Sequence, residues 1–281
     1  MKYGIILPSY GPLVKAEDIV ATAQAAEEYG YDSIWTTDHI LLPESDSSRF
    51  RMLYEAIATL AFVAGRTSRV RLGVSSLVLP MRDPMLVARQ LCALDALSGG
   101  RSMLCVSVGW SRGEYENLGY DFHTRGARLD EAIRVMRLLW DSRGETVSHS
   151  GEFFQFESAI FDQLPVQEGG PELWVGGNSV AARKRAARFN AVWHPSSIRL
   201  EEFSEGAASF RELSGGSISG IAPRLRVTYG RPDPDAPLCG SPSEIRKQLK
   251  QYTAAGMTGV LLSFNASGQA QRESDMRAFM E

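Results

Sequence analysis

The chain has 281 residues, a formal net charge of −3 and 44% hydrophobic residues. This length is ordinary for one α/β barrel of roughly 250 residues, and we expect one domain over residues 1–281. The mild acidity offers no general attraction to nucleic acid or to anionic membranes, so neither is expected as a partner. Three cysteines without metal-binding spacing, and no apolar run near the roughly 18 residues of a membrane span, predict a cytoplasmic protein with reduced thiols.

Apolar, β-branched runs alternate with segments of helical period along almost the whole chain. The third helix shows the clearest boundaries, because Asp83-Pro84 is typical of a helix start and Gly99-Gly100 of a helix end. The predicted elements of the first half are strand Tyr3–Leu7, helix Ala16–Tyr29, strand Ser33–Thr37, helix Leu53–Ala64, strand Val70–Leu79, helix Pro84–Leu97, strand Met103–Val108 and helix Arg128–Trp140.

A different pattern over Val147–Ile160 predicts a short hairpin inserted before the fifth strand. The elements that follow are strand Leu173–Val175, helix Ser179–Phe189, strand Ala191–Trp193, helix Leu200–Leu213, strand Leu225–Tyr229, helix Pro242–Ala255, strand Gly259–Phe264 and a helical tail from Gln269. Eight strand–helix pairs predict parallel strands closed into a (β/α)₈ TIM barrel. An open doubly wound sheet is the alternative, but no G-x-G-x-x-G motif follows the first strand.

Polar residues and glycines collect where the predicted strands end, and the functional site of a barrel lies at these carboxyl ends. Asp38-His39 is the leading acid–base candidate, because a neighbouring carboxylate can fix the tautomer of an imidazole. The alternative is an aspartate that caps a turn beside a histidine bonded to the backbone. Gly176-Gly177-Asn178-Ser179 leads into a helix and suits a phosphate, although a glycine turn with an N-cap has the same sequence.

Three further residues are candidates for the walls of this site. Glu114 lies in a segment typical of a short helical turn, where it can bind a ring, move a proton or simply favour a helix start. His194 beside Trp193 is a candidate wall residue, and a buried structural pair is the alternative. His123 and His149 lie in predicted loops and are assigned no role. Since the histidines form neither HxH nor HExxH, no metal site is predicted.

Several segments together resemble a known superfamily, in order and along nearly the whole chain: Gly4–Pro8, Ala25–Trp35, Asp38-His39, Leu72-Gly73, Leu79–Pro84, Asp95–Arg101, Gly109-Trp110, Glu114–Gly119 and Leu173–Gly177. The pattern resembles the luciferase-like monooxygenases and is most similar to their 5-deazaflavin-dependent oxidoreductase branch. The resemblance implies a bacterial luciferase-like (β/α)₈ barrel. It also implies a cofactor at the strand ends, with coenzyme F420 (an 8-hydroxy-5-deazaflavin) as the first choice and FMN as the second.

The resemblance also implies individual roles. Asp38, His39 and Glu114 would be catalytic groups beside the ring, with His39 orienting substrate or relaying a proton. Ser75-Ser76 matches a bulge in which a non-prolyl cis peptide backs the ring. The implied cofactor-binding residues are Asp38, Ser75, Ser76, Gly109, Trp110, Gly176, Gly177, Asn178, Ser179 and Trp193, and the substrate-binding residues are Tyr10 and His194.

The leading hypothesis is therefore an oxidoreductase that transfers hydride between F420 and a small organic substrate. The alternatives are an FMN-dependent monooxygenase that uses O₂ and reduced flavin from a partner reductase, and a non-catalytic homologue without cofactor. Retention of Asp38-His39 and the glycine loop argues against the last. A homodimer through the second and third helices is a family-based expectation. Two departures affect the ring pocket: Asn190-Ala191-Val192-Trp193 stands where relatives usually carry Asp-Gly before the Trp, and Ser75-Ser76 is unusually polar.

Overall fold

A computed structural model describes residues 1–12, 14–48, 50–230 and 233–281. Among these residues, nine parallel strands form one sheet, and two more form a separate hairpin. The strands are β1 (Lys2–Ile6), β2 (Ser33–Thr36), β3 (Arg71–Val78), β4 (Ser102–Ser107), β5 (Thr146–Ser150), β6 (Gln155–Ile160), β7 (Glu172–Gly176), β8 (Val192–His194), β9 (Arg224–Tyr229), β10 (Leu238–Gly240) and β11 (Gly259–Phe264).

The sheet closes on itself. Its hydrogen-bonded order is β10-β9-β11-β1-β2-β3-β4-β7-β8, and two isolated parallel bridges, Trp193 with Ile221 and Ser196 with Arg224, join the β8 side to the start of β9. The predicted (β/α)₈ barrel is therefore confirmed. β10 is an additional strand beside β9. It is not predicted from the sequence, because a run of three residues carries no periodic signal.

The helices cover the outside of the barrel close to their predicted positions. They are α1 (Ala16–Glu28), α2 (Ala56–Ala64), α3 (Pro84–Ser98), α4 (Arg112–Asn117), α5 (Arg125–Trp140), α6 (Val180–Arg188), α7 (Leu200–Leu213), α8 (Pro242–Ala254) and α9 (Gln269–Met280). Capping explains the sharpest boundaries: Asp83 accepts the amide of Leu86 before α3, and Ser241 begins α8 with a complete capping box. Within the described residues, no helix is both long and apolar enough to cross a membrane.

The inside of the barrel is filled at its lower half by apolar and aromatic side chains. Trp35 of β2 and Trp174 of β7 contact each other there, with ring centroids 4.6 Å apart. Gly73 of β3 leaves room for this packing, because a Cβ at that position would lie 2.3 Å from the Trp35 ring. The two tryptophans therefore form a floor, and the upper half stays available for polar groups.

The predicted hairpin is present as β5 and β6, which pair antiparallel outside the barrel. Glu131 of α5 anchors it, since its carboxylate accepts the amides of Phe153 and Phe154 and contacts the ring of His149. Cys92 and Cys105 are buried free thiols, as their apolar surroundings in the sequence predict.

Candidate functional site

A cleft of about 290 Å³ opens at the carboxyl ends of the barrel strands. Most of the predicted site residues line it, namely Asp38, His39, Ser75, Ser76, Gly109, Trp110, Gly176, Gly177 and His194. A cavity of about 150 Å³ lies at the opposite mouth, beside the Arg71–Glu172 ion pair. We place the functional site in the first cleft, because the lower face of such barrels contributes stability rather than catalysis.

His39 is held on the cleft wall by Glu114. Its Nδ1 lies 2.8 Å from Oε2 of Glu114, while Oε1 of Glu114 accepts the amides of Ile40 at 2.5 Å and Leu41 at 3.1 Å. Burial alone would raise the pKa of Glu114, but the hydrogen bonds from His39 and the two amides hold it below its ordinary value. The ionised carboxylate keeps a proton on Nδ1. No described residue hydrogen-bonds Nε2, which is left for a ligand.

Glu114 reaches this position because a short helix begins immediately before it. Ser111 caps α4 by accepting the amide of Glu114 at 3.1 Å, and its own hydroxyl donates to Asp46 at 2.5 Å. Glu114 therefore sits in the first turn, where the helix dipole favours a negative charge. Glu114 therefore both favours the start of the helix and holds His39, so the two interpretations of this buried residue are compatible.

Asp38 is hydrogen-bonded to Arg82 and to the backbone of Val78 rather than to the adjacent His39. Its Oδ1 accepts from Arg82 at 2.6 Å and its Oδ2 from the amide of Val78 at 2.9 Å. Burial raises the pKa of Asp38, and Arg82 and the amide oppose that shift. With both oxygens occupied, Asp38 joins the ends of β2 and β3. The carboxylate that fixes the imidazole of His39 is Glu114, which corrects the expectation placed on Asp38.

Ser75 and His194 form the deepest polar contact of the cleft. Nε2 of His194 lies 2.8 Å from the Ser75 hydroxyl, and Nδ1 lies 2.5 Å from the carbonyl of Ala222. Burial lowers the pKa of His194 to about 4, so the neutral ring donates from Nδ1 and accepts at Nε2. The Ser75–Ser76 peptide is cis and lies in a register shift of β3. The expected bulge and cis bond are thus both confirmed.

The glycine loop between β7 and α6 is shaped to leave backbone groups open. Gly177 has φ +129°, which only glycine adopts without strain. A Cβ on Gly176 would lie 2.4 Å from the Ser76 hydroxyl. Ser179 caps α6 by accepting the amide of Ala182 at 3.2 Å, and the preceding amides of the first turn have no partner inside the helix. An anionic group at the cleft rim can accept from them.

Asn178 positions this loop rather than pointing into the cleft. Its side chain donates to the carbonyl of Ser196 and accepts the amide of the same residue, both at 2.9 Å. Arg183 donates to the carbonyl of Asn178 at 2.9 Å, which places a cation beside the loop. The neighbouring Arg185 and Arg188 are both paired with Asp130.

Trp193 and Tyr10, like Glu114, Asn178 and Ser179, lie outside the cleft lining. Trp193 is turned toward the helices, where it stacks on Phe203 at 6.2 Å and donates from Nε1 to the carbonyl of Gly177 at 2.9 Å. Strand alternation explains this, because the next residue, His194, points into the barrel. Trp193 therefore supports the glycine loop and is not retained as a cofactor contact. Tyr10 stands beside the cleft, with its ring 5.2 Å from that of Phe50.

Phe50 and Arg224 line the cleft but are not predicted from the sequence. Phe50 packs on His39 with ring centroids 4.5 Å apart, but it comes from a polar loop without a periodic pattern. Arg224 begins β9 and donates to Thr37 at 3.2 Å and to the carbonyl of Ser75 at 3.0 Å. The available signal was Arg-Leu-Arg in a barrel strand, because buried parallel strands are normally apolar. Within the described chain, no group of His, Cys, Asp and Glu could hold a metal ion.

Comparisons with known proteins agree with this geometry. The model of the luciferase-like monooxygenase family matches residues 1–231. A phthiodiolone/phenolphthiodiolone dimycocerosates ketoreductase of Mycobacterium bovis is 30% identical over 206 residues, 68% of this chain and 54% of that protein. The oxygenase component of a flavin-dependent trigonelline monooxygenase of Acinetobacter baylyi is 28% identical over 201 residues, 71% of this chain and 52% of that protein. The chain thus spans about half the length of these curated relatives.

A solved structure shares the fold over almost the whole length of both chains. It is an F420-dependent secondary alcohol dehydrogenase in complex with an F420–acetone adduct. The TM-score is 0.85 at 18% sequence identity, over 99% of this chain and 97% of that chain.

The buried His194 predicts a pH dependence of stability. Its folded pKa of about 4 lies below the ordinary 6.5, so the unfolded chain binds the extra proton as the pH falls from 6.5 toward 4. The free energy of unfolding should therefore drop in that window, by up to about 1.4 kcal/mol per pH unit from this group. Urea unfolding at several pH values should show a shallower slope for His194→Asn than for the unsubstituted protein. His123→Asn, at an exposed loop histidine, is the control, and an unchanged slope in His194→Asn would contradict the prediction.

Proposed function

The chain belongs to the luciferase-like monooxygenase family, and we propose that it is an oxidoreductase transferring hydride between coenzyme F420 and a small organic substrate. One observation carries the proposal: a single cleft is lined both by the glycine loop that leads into the first turn of α6 and by His39, which Glu114 holds in place. The loop suits the phosphate of a ring cofactor. The pair suits a substrate that gains or loses a proton during the reaction.

The residues around the cleft fit such a cofactor. Gly176 and Gly177 keep side chains away from the open amides of α6, and Arg183 adds positive charge beside them. Gly109, at φ +68°, and Trp110 line the cleft after β4, the strand that pairs with β7 beside the glycine loop. When bound, the deazaflavin ring supplies or accepts hydride, and the protein supplies position and charge.

His39 and Glu114 provide the proton that hydride transfer to a carbonyl requires. Reduction of a ketone adds hydride to carbon and a proton to oxygen. Nε2 of His39 delivers or accepts this proton, and the ionised Glu114 stabilises the charged imidazole through Nδ1. The ketoreductase relative and the secondary alcohol dehydrogenase neighbour support a carbonyl–alcohol pair as the substrate class.

An FMN-dependent monooxygenase is the competing function, and the trigonelline monooxygenase relative favours it. The same glycine loop would hold the FMN phosphate, and a separate reductase would supply reduced flavin. A non-catalytic homologue is less well supported, because the His39–Glu114 contact and the open glycine loop are both intact.

Cofactor binding separates these functions. We expect the purified protein to bind F420 more tightly than FMN, and riboflavin, which lacks a phosphate, most weakly. Gly177→Ala should weaken both phosphate-bearing cofactors about tenfold, or roughly 1.4 kcal/mol, because it strains the loop and adds bulk near Ala182. Fluorescence titration measures each dissociation constant.

Gly144→Ala is the matched control for this titration, since Gly144 also has positive φ but has no neighbour within 4 Å of an added Cβ. Tight binding of FMN without binding of F420 would move the proposal to the monooxygenase. Equal binding of FMN and riboflavin would refute the assignment of the phosphate loop.

Substitution of the proton-transfer pair should lower turnover without removing the cofactor. His39→Ala should reduce kcat with F420 and a panel of ketones or secondary alcohols by about 10²- to 10⁴-fold. Glu114→Gln should lose less activity and displace the pH profile of kcat, because it keeps the bond to His39 but removes the charge. His123→Ala is the control. Unchanged turnover in His39→Ala would exclude the assigned role.

We further propose a homodimer built on the outer face of α2 and α3. Large apolar side chains are exposed there: Phe62 at 49%, Leu86 at 58% and Leu97 at 81%. Leu97→Asp should convert the dimer to a monomer in light-scattering measurements of molar mass, because burying a carboxylate at an apolar contact is costly. Leu213→Asp, on α7 and 38% exposed, should stay dimeric. A monomeric unsubstituted protein would rule out the dimer.

A further inference from the structure

Arg224 brings a positive charge into the cleft without a carboxylate beside it. Its guanidinium donates to the Thr37 hydroxyl at 3.2 Å, the Ser75 carbonyl at 3.0 Å and the Tyr10 hydroxyl at 3.2 Å. All three acceptors are neutral. Among the described residues, no carboxylate oxygen lies within 4.0 Å of the guanidinium nitrogens of Arg224, so it forms no ion pair with them. The side chain is only partly exposed.

The other charged groups of the cleft are already matched. Asp38 is paired with Arg82 at 2.6 Å, and Glu114 contacts His39 and two backbone amides. His194, the remaining titratable group near Arg224, is held neutral between Ser75 and Ala222. Among the described residues that line the cleft, Arg224 is therefore the cation that no carboxylate neutralises.

A half-buried guanidinium surrounded by neutral oxygens favours a ligand that brings an anionic oxygen. Burial weakens the hydration of the cation, and a charge-assisted hydrogen bond to an anionic oxygen replaces this lost stabilisation. Three of the five guanidinium hydrogens are used by Thr37, Ser75 and Tyr10. The two others are available to such a ligand.

We propose that Arg224 binds the negatively charged pyrimidine edge of the reduced cofactor and so favours the reduced over the oxidised form. This inference rests on the proposed function. An alcohol that is oxidised in the cleft loses hydride to the ring and its hydroxyl proton to His39. The ring thereby gains one negative charge, which is delocalised over N1, C2 and O2. Arg224 donates to the carbonyl of Ser75 at the bulge that lines the cleft, and the family resemblance implies that this bulge backs the ring.

The test compares the affinities of the two redox forms. Under anaerobic conditions, dissociation constants of oxidised and reduced F420, and of oxidised and reduced FMN, are measured by calorimetry. We expect the unsubstituted protein to bind the reduced form at least tenfold more tightly than the oxidised form. Arg224→Gln should remove at least tenfold of this preference. Tenfold corresponds to a decrease of about 30 mV in the two-electron potential of the bound cofactor, which redox titration checks independently.

Arg226→Gln is the matched control, since Arg226 lies on the same face of β9 and loses the same charge but faces Asp235 at 3.9 Å. It should leave the preference unchanged. Arg224→Lys keeps the charge and should retain part of the preference for the reduced form. It replaces Arg224→Gln in the test if that variant does not fold. An unchanged preference in Arg224→Gln, with both forms still bound, would overturn this inference alone and assign the charge to a substrate anion. Failure of the unsubstituted protein to bind either cofactor would overturn the proposed function as well.

Discussion

The site depends on a barrel whose interior is packed at only one end. Trp35 and Trp174 meet across the axis, and the small Gly73 beside them allows the contact. Because this floor is apolar, a polar group above it is favoured where it finds a hydrogen-bond partner or faces the cleft. His194 shows the effect directly: its ring stacks near Trp35 and its two nitrogens are both hydrogen-bonded.

The polar groups above the floor fall into two sets with different physical tasks. Asp38 with Arg82, and His194 with Ser75, are paired within the protein and hold strand ends together. His39 and the first-turn amides of α6 keep unused hydrogen-bonding capacity that is directed outward. The paired groups thus hold the strand ends in place, and this orients the groups that can still bind a ligand. Binding and proton transfer need such fixed orientation.

Most of the fold was predictable, because strand and helix periods are properties of consecutive residues. β11 and α7 begin and end where the sequence predicts, and the hairpin begins one residue before its predicted range and ends with it. Two helix starts differ most from the prediction. α2 begins at Ala56 rather than Leu53, because Glu55 caps it by accepting the amide of Ala58 at 2.6 Å. α5 begins at Arg125 rather than Arg128, and its N-cap residue makes no side-chain hydrogen bond that would mark the start. β10 escaped prediction because its short strand is stabilised by β9 rather than by its own pattern.

The site was predictable in location but not in pairing. The rule that parallel strands end at one edge brought His39, Glu114 and the glycine loop together. Which carboxylate meets His39 depends on helix α4, 75 residues away along the chain, and no local pattern indicates that contact. Trp193 was misassigned because one residue decides which face of a strand a side chain occupies.

The position of β1 between β2 and β11 has a consequence for how the protein is made. β1 gains its second neighbour only after residues 259–264 have been synthesised. Its pairing with β11 is therefore one of the longest-range contacts in the chain, and such contacts form late and slowly. Until then, the apolar edge of β1 stays open to other chains. The emerging polypeptide consequently needs chaperone protection until β11 has been synthesised.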